Sequence, residues 1–163
     1  TQVRGVWQLT LDEKLQSSSD RLAAGNRWFE GGVFVKALDC YTRALLLIKW
    51  EMGDGSEEEE LVQEEKARAY LNQAAALLKL GRPAEAARAA SEALLLRPRL
   101  TKALVRRAEA YMRLEKFDHA ADDLKQAFHL DPKSASVRRA QAALVQRKRS
   151  VADAARGVFG RMF

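Results

Sequence analysis

ARAYLNQAAALLKLGRPAEAARAASEALLLRPRLTKALVRRAEAYMRLEKFDHAADDLKQAFHLDP, residues Ala67–Pro132, is one unit written twice at an interval of 34 residues. Leu80 recurs as Leu114, Ala86 as Ala120, Ala93 as Ala127 and Pro98 as Pro132. Small residues at such places let two antiparallel helices approach closely, and the proline stops the second helix. A unit of this length, read as helix, turn and helix, cannot bury its apolar face alone and stacks on its neighbours. The repeat predicts an all-α array.

Upstream, Ala37, Tyr41 and Ala44 stand where Ala86, Ala90 and Ala93 stand one unit later, and Phe34 stands where Pro83 and Phe117 stand. This is a first repeat, displaced by 49 residues, that is 34 plus an insertion of 15. Gly53, Asp54, Gly55 and Ser56 with the Glu57–Glu60 run mark the insertion. The run is expected to be solvated loop or a helix extension, since glutamates suit the positive end of a helix dipole. Thr10 with Glu13 forms a capping box, so a first helix starts near Leu11, runs through Leu15, Leu22, Ala23, Trp28 and Phe29, and stops at Gly31-Gly32. A second helix spans about 34–50, and others follow at about 58–80, 83–96, 100–114 and 117–130, with Gly81 ending one and Pro83 opening the next. A final helix runs from about Ser134 to Gly157 or beyond, where Val137, Leu144, Val151 and Val158 recur every seven residues. Such a helix caps the exposed end of a solenoid. The expected organisation is an incoming linker at 1–10, three repeats at about 11–50, 58–98 and 100–132 with an acidic insertion near 51–65, and a capping helix at 133–163.

The chain has a net charge of +6 and a pI of about 9.7, with positive charge gathered from Arg97 onward. Such a surface suits acidic peptides, nucleic acid or anionic membrane, and composition does not choose among them. One cysteine, Cys40, excludes a disulfide framework, and no Cys/His spacing suggests zinc; neither metal nor cofactor is expected. A reducing compartment, cytoplasm or nucleus, is the expected location. No apolar run approaches the roughly 20 residues of a membrane span. The start at Thr1 is read as that of an excised fragment. No catalytic constellation is visible: His119 and His129 lie ten apart on different helix faces, Ser17, Ser18 and Ser19 lack a base at a telling spacing, and Cys40 reads as a buried structural thiol. Trp7, Trp28 and Trp50 could stack on single-stranded nucleic acid, but helical spacing puts Trp28 in the core and Trp50 at a helix end. No nucleic-acid fold signature accompanies them.

Stacked helix pairs create a concave groove lined by the first helix of each pair. Lys102, Arg106 and Arg113 share one helix face, and Asn72 and Lys79 occupy the places of Arg106 and Arg113 one repeat earlier. Asn26 projects from the first helix. Cations and carboxamides together fit a carboxylate ligand, each charge-assisted bond contributing on the order of 1.5–3 kcal/mol. Peptide affinity would then be micromolar. The alternative, that these cations are solvated helix surface, is not separated by charge alone.

The run Gly25-Asn26-Arg27-Trp28-Phe29, Tyr70-Leu71-Asn72-Gln73-Ala74-Ala75 and Thr101–Ala110 resemble chaperone-binding tetratricopeptide domains. More narrowly, Trp7–Leu15, the insertion and the trailing Val158-Phe159-Gly160-Arg161-Met162-Phe163 make the chain similar to the C-terminal half of a large FKBP-type immunophilin. The resemblance implies three repeats in a right-handed superhelix with a C-terminal capping helix, and a carboxylate clamp for the acidic C-terminal tail of the 90-kDa heat-shock chaperone, with the 70-kDa chaperone as a second expected partner. It implies that Asn26, Asn72, Lys102 and Arg106 form that clamp; Lys79 and Arg113, read from their place on the same helix faces, are expected to support the groove. The fifth clamp place holds Leu22 where the family has lysine, and Arg21 points about 100° away. Leu22→Lys is expected to strengthen binding. Any peptidyl-prolyl isomerase domain would lie upstream of this chain. The competing expectation is a repeat scaffold that has lost tail binding and uses its final helix, where Arg138, Arg139, Arg147, Lys148, Arg149, Arg156 and Arg161 accompany the apolar stripe, for calmodulin, anionic membrane or a homodimer contact. Exposed Phe159, Met162 and Phe163 would favour that use.

Overall fold

A computed structural model describes residues 5–51 and 57–160. After a 3-10 turn at Val6–Gln8, seven α-helices follow with no strand among the described residues: α1 (Leu11–Glu30), α2 (Phe34–Ile48), α3 (Glu57–Lys79), α4 (Pro83–Leu96), α5 (Thr101–Arg113), α6 (Phe117–Leu130) and α7 (Ala135–Phe159). Each helix packs on the next, and α1 on α3, α3 on α5 and α5 on α7 also touch. Odd-numbered helices thus form one layer and even-numbered helices the other, the arrangement of a helical-repeat fold.

Local chemistry sets the boundaries. Thr10 Oγ1 accepts from the Glu13 amide at 3.2 Å while Glu13 Oε2 accepts from the Thr10 amide at 2.9 Å, so the capping box starts α1. All four glutamates of Glu57–Glu60 fall in the first turn of α3, against its positive end. The Gly53–Ser56 part of the insertion lies outside the described residues, but its flanks are tied: Lys14 Nζ pairs with Glu51 Oε1 at 2.6 Å, and Lys66 Nζ donates to the Glu51 carbonyl at 2.7 Å. Pro83 opens α4 as its first residue, and α4 and α6 close just before Pro98 and Pro132.

Three helix ends share one geometry. The amides of Val33, Arg82 and Lys116 each donate to a carbonyl five residues back, of Trp28, Leu77 and Tyr111, at 2.9 Å. This closure needs the residue before the donor to be left-handed. Gly32 (φ 76°) and Gly81 (φ 70°) fill that place in two repeats, and Glu115 (φ 57°) fills it in the third. A glutamate there is strained where glycine is not. Glu115→Gly is expected to stabilise the fold by about 1 kcal/mol, raising the Tm by about 2–4 °C in a thermal melt.

The core follows the repeated alanines. Ala37, Ala44, Ala86, Ala90, Ala93, Ala120 and Ala127 are fully buried where helices cross. Gly25 serves the same purpose in α1, since a Cβ there would sit 2.4 Å from Tyr41 Cε1. Arg107 clasps Asp123 with two bonds of 2.8 and 2.7 Å and reaches Ser91 Oγ at 3.1 Å, joining α5 to α6 and α4. Its bond to Asp123 holds the guanidinium above its ordinary pKa.

α7 caps the array with its first half only. Val137, Ala140 and Leu144 enter the core beside Leu104, Met112 and Leu124, whereas Val151 is half-buried and Val158 is 59% exposed. The Phe159 side chain and residues Arg161, Met162 and Phe163 lie outside the described residues.

Some expectations differ. α2 ends at Ile48, before Trp50, which is 79% exposed. Trp28 is 41% exposed rather than core: Leu22, Gly25 and Phe29 carry the inward face of α1, and Trp28 lies beside it under the Lys36 ammonium, 4.2 Å from the ring centroid. Cys40 is half-buried at the margin of the Ala37–Tyr41–Ala44 face, not enclosed within it.

Candidate functional site

The inner helices α1, α3 and α5 bring three of the expected residues together. Asn26 Oδ1 accepts from Asn72 Nδ2 at 3.2 Å and from Tyr41 Oη at 2.9 Å. Three helices, α1, α2 and α3, are thereby joined through one carboxamide, and the remaining donors and acceptors of both asparagines stay open to a ligand. Arg106 adjoins the cluster from α5, close enough for its charge to act on the Tyr41 phenol. Its Nη1 donates to the Leu71 carbonyl at 2.5 Å, which fixes the guanidinium and leaves its other donors unspent.

Burial controls both titratable groups. It pushes the Tyr41 phenol up to about 12, against the pull of Arg106, so the phenol stays a proton donor to Asn26 throughout the neutral range. Burial also draws the Arg106 guanidinium below its ordinary pKa, with Glu109 and Tyr41 acting the other way. A desolvated cation that keeps its charge interacts more strongly with an anion than one in water does.

Lys102 lies one turn earlier on the same face of α5, exposed, with no hydrogen bond or ion pair among the described residues. Arg113 lies two turns beyond Arg106 and repeats its geometry, with Nη1 donating to the Leu78 carbonyl. Arg106 and Arg113 thus brace α5 against α3 at carbonyls seven residues apart. Lys79, Arg106 and Arg113 line a cavity of about 490 Å³, with apolar floor from Phe29, Leu78 and Met112.

Leu22 does not belong to this surface. It is 1% exposed and packed with Ala37, Tyr41, Ala44, Ala69 and Ala76, which speaks against the expectation that a lysine there would strengthen binding: its ammonium would stand among apolar side chains. Sequence reading also missed three participants. Tyr41 was visible only as a large residue at a place where the second repeat has Ala90 and the third Leu124. Glu109 and Arg147 of α7 line the same cavity, and neither the 34-residue period nor the heptad stripe of α7 marks them.

The histidines remain apart from the groove, both exposed, His119 against Tyr111 and His129 against Phe128. Among the described residues no group of three or more His, Cys, Asp or Glu side chains is placed to hold a metal ion, and no helix is long and apolar enough to cross a membrane.

The tetratricopeptide-repeat family matches residues 67–100 and again 101–134. Rat peptidyl-prolyl cis-trans isomerase FKBP4 is 27% identical over 160 residues, covering 98% of this chain and 35% of that protein. Human FK506-binding protein-like is 34% identical over 134 residues, covering 82% of this chain and 36% of that protein. The chain therefore spans about a third of the length of these relatives. Among solved structures, the C-terminal repeat domain of a putative FK506-binding protein of Plasmodium falciparum superposes with a TM-score of 0.79 at 23% identity, covering 91% of this chain and 99% of that one, a likeness of fold. The second repeat domain of human RPAP3, in complex with the HSP70 peptide SGPTIEEVD, has a TM-score of 0.65 at 27% identity, with coverage of 83% and 98%. The second repeat domain of Spaghetti (RPAP3), bound to the HSP90 peptide SRMEEVD, has a TM-score of 0.62 at 28% identity, with coverage of 74% and 97%.

Proposed function

We propose that this chain, whose tetratricopeptide repeats are homologous to those of FKBP4-type immunophilins, is a non-catalytic docking module that grips the acidic C-terminal tail of a heat-shock chaperone. The 90-kDa chaperone is the principal partner and the 70-kDa chaperone a second one, in keeping with the two peptides bound by the RPAP3 domains. The module consists of three repeats at about 11–50, 58–98 and 100–132, a linker at 1–10 and a cap at 133–163. It works in the cytoplasm or nucleus, beside any isomerase domain of a longer parent.

The observation that carries this reading is the meeting of Asn26, Asn72 and Arg106 across three helices, with Lys102 exposed one turn away. In the clamp, Arg106 and Lys102 supply charge to the terminal carboxylate, and the two asparagines orient it by their free amide groups. Tyr41 holds Asn26 in place. The clamp works without the family's first lysine, because Leu22 is spent on the core.

Calorimetric titration of an acidic pentapeptide with a free C-terminus tests the reading. Lys102→Glu is expected to weaken binding at least tenfold, about 1.4 kcal/mol, with no loss of stability, since the residue is exposed and unpaired. Equal affinity for both proteins would defeat the clamp.

A second reading is favoured by the outer half of α7, where Val158 is exposed and the basic residues Lys148, Arg149 and Arg156 are exposed on the same helix. That face suits calmodulin or a second copy of the chain. Truncation separates the two readings, but the cut belongs after about residue 150: removal of everything beyond Pro132 would strip Val137, Ala140 and Leu144 from the core.

A further inference from the structure

The geometry points to a second anion subsite in this groove, formed by Lys79, Arg113 and Arg147, that holds an acidic side chain about three residues upstream of the bound terminus; it rests on the tail-binding reading above. Three observations carry it. The first is charge: Lys79, Arg106, Arg113 and Arg147 line one cavity of about 490 Å³ to which, among the described residues, Glu109 alone adds a carboxylate, an excess of cations that favours an acidic ligand. The second is spacing. Arg113 follows Arg106, and Lys79 follows Asn72, by seven residues, which on a helix is about 10.5 Å. An extended peptide covers that distance in about three residues at roughly 3.3 Å each. The third is pre-organisation. Arg113 is anchored to the Leu78 carbonyl as Arg106 is to that of Leu71, so both guanidiniums face the groove at fixed heights. Arg147 reaches the cavity from α7 and, like Lys79, is exposed with no hydrogen bond or ion pair among the described residues. The capping helix therefore takes part in ligand selection as well as in covering the core.

The test uses the whole chain and two labelled heptapeptides, SRMEEVD and a version with the glutamate three places before the terminal aspartate replaced by glutamine. Anisotropy titrations are expected to show wild type preferring SRMEEVD by about threefold to fivefold. Arg147→Ala should abolish the preference. Glu109→Gln should tighten SRMEEVD binding by removing the opposing charge. An unchanged preference in Arg147→Ala, or no preference in wild type, overturns the second subsite while a Lys102→Glu effect would leave the clamp standing. Failure of wild type to bind either peptide overturns both.

Discussion

Leu22→Lys is expected to destabilise the chain by about 3–5 kcal/mol rather than to improve its binding. The substitution removes a branched side chain that is 1% exposed and packed against Tyr41 and the alanines of α2 and α3. It also puts an ammonium among the apolar side chains that pack around position 22. Urea unfolding followed by circular dichroism measures the loss. Its pH dependence identifies the cause. A buried lysine has a folded-state pKa below its unfolded value, so the unfolded chain binds more protons and stability rises with pH. The deficit should therefore be fully present below the depressed folded-state pKa and shrink as pH rises from there to the unfolded-state value, whereas a packing defect alone would not change. A stable variant with tighter peptide binding would mean that the side chain at position 22 escapes to the groove.

The fold was legible because its determinants are local and repeated. Alanines at crossing points, prolines after the second helices and glycine at the left-handed turn position recur at fixed intervals, and each has one structural consequence. Thr10 and Glu13 placed the start of α1 for the same reason. Glu115 is the informative exception: only the glycines at the equivalent turns of the other repeats reveal that a glutamate stands at a glycine position. Trp28 and Cys40 were misplaced because each lies next to an inward stripe, and a sequence period of 3.6 does not resolve the margin of a face. The apolar stripe of α7 was read correctly in type and too generously in extent, since nothing in a heptad tells how far the surface beneath it continues.

The site was legible as a set of residue types, less so as a structure. Asn72 and Arg106 could be aligned by repeat position and Asn26 was supplied by the family resemblance; the structure brings Asn26 against Asn72, with Arg106 adjoining. Tyr41 was beyond reach because its bond to Asn26 depends on Gly25 permitting α1 to close on α2. Leu22 was read as a missing lysine when its burial makes it part of the fold. Arg147 belongs to an element outside the repeat, so no internal alignment could bring it to the groove.

The central claim is that the groove recognises a terminal carboxylate, and the direct measurement compares SRMEEVD with the same peptide amidated at its C-terminus, titrated calorimetrically into the whole chain at low and moderate salt. Amidation leaves shape and both glutamates intact but removes the charge that Lys102 and Arg106 would share. Two charge-assisted bonds of about 1.5–3 kcal/mol each, partly replaced by neutral ones, correspond to a loss of about a hundredfold. The free peptide should also weaken more steeply as salt is added. Binding of the amidated peptide within twofold of the free one would contradict the account.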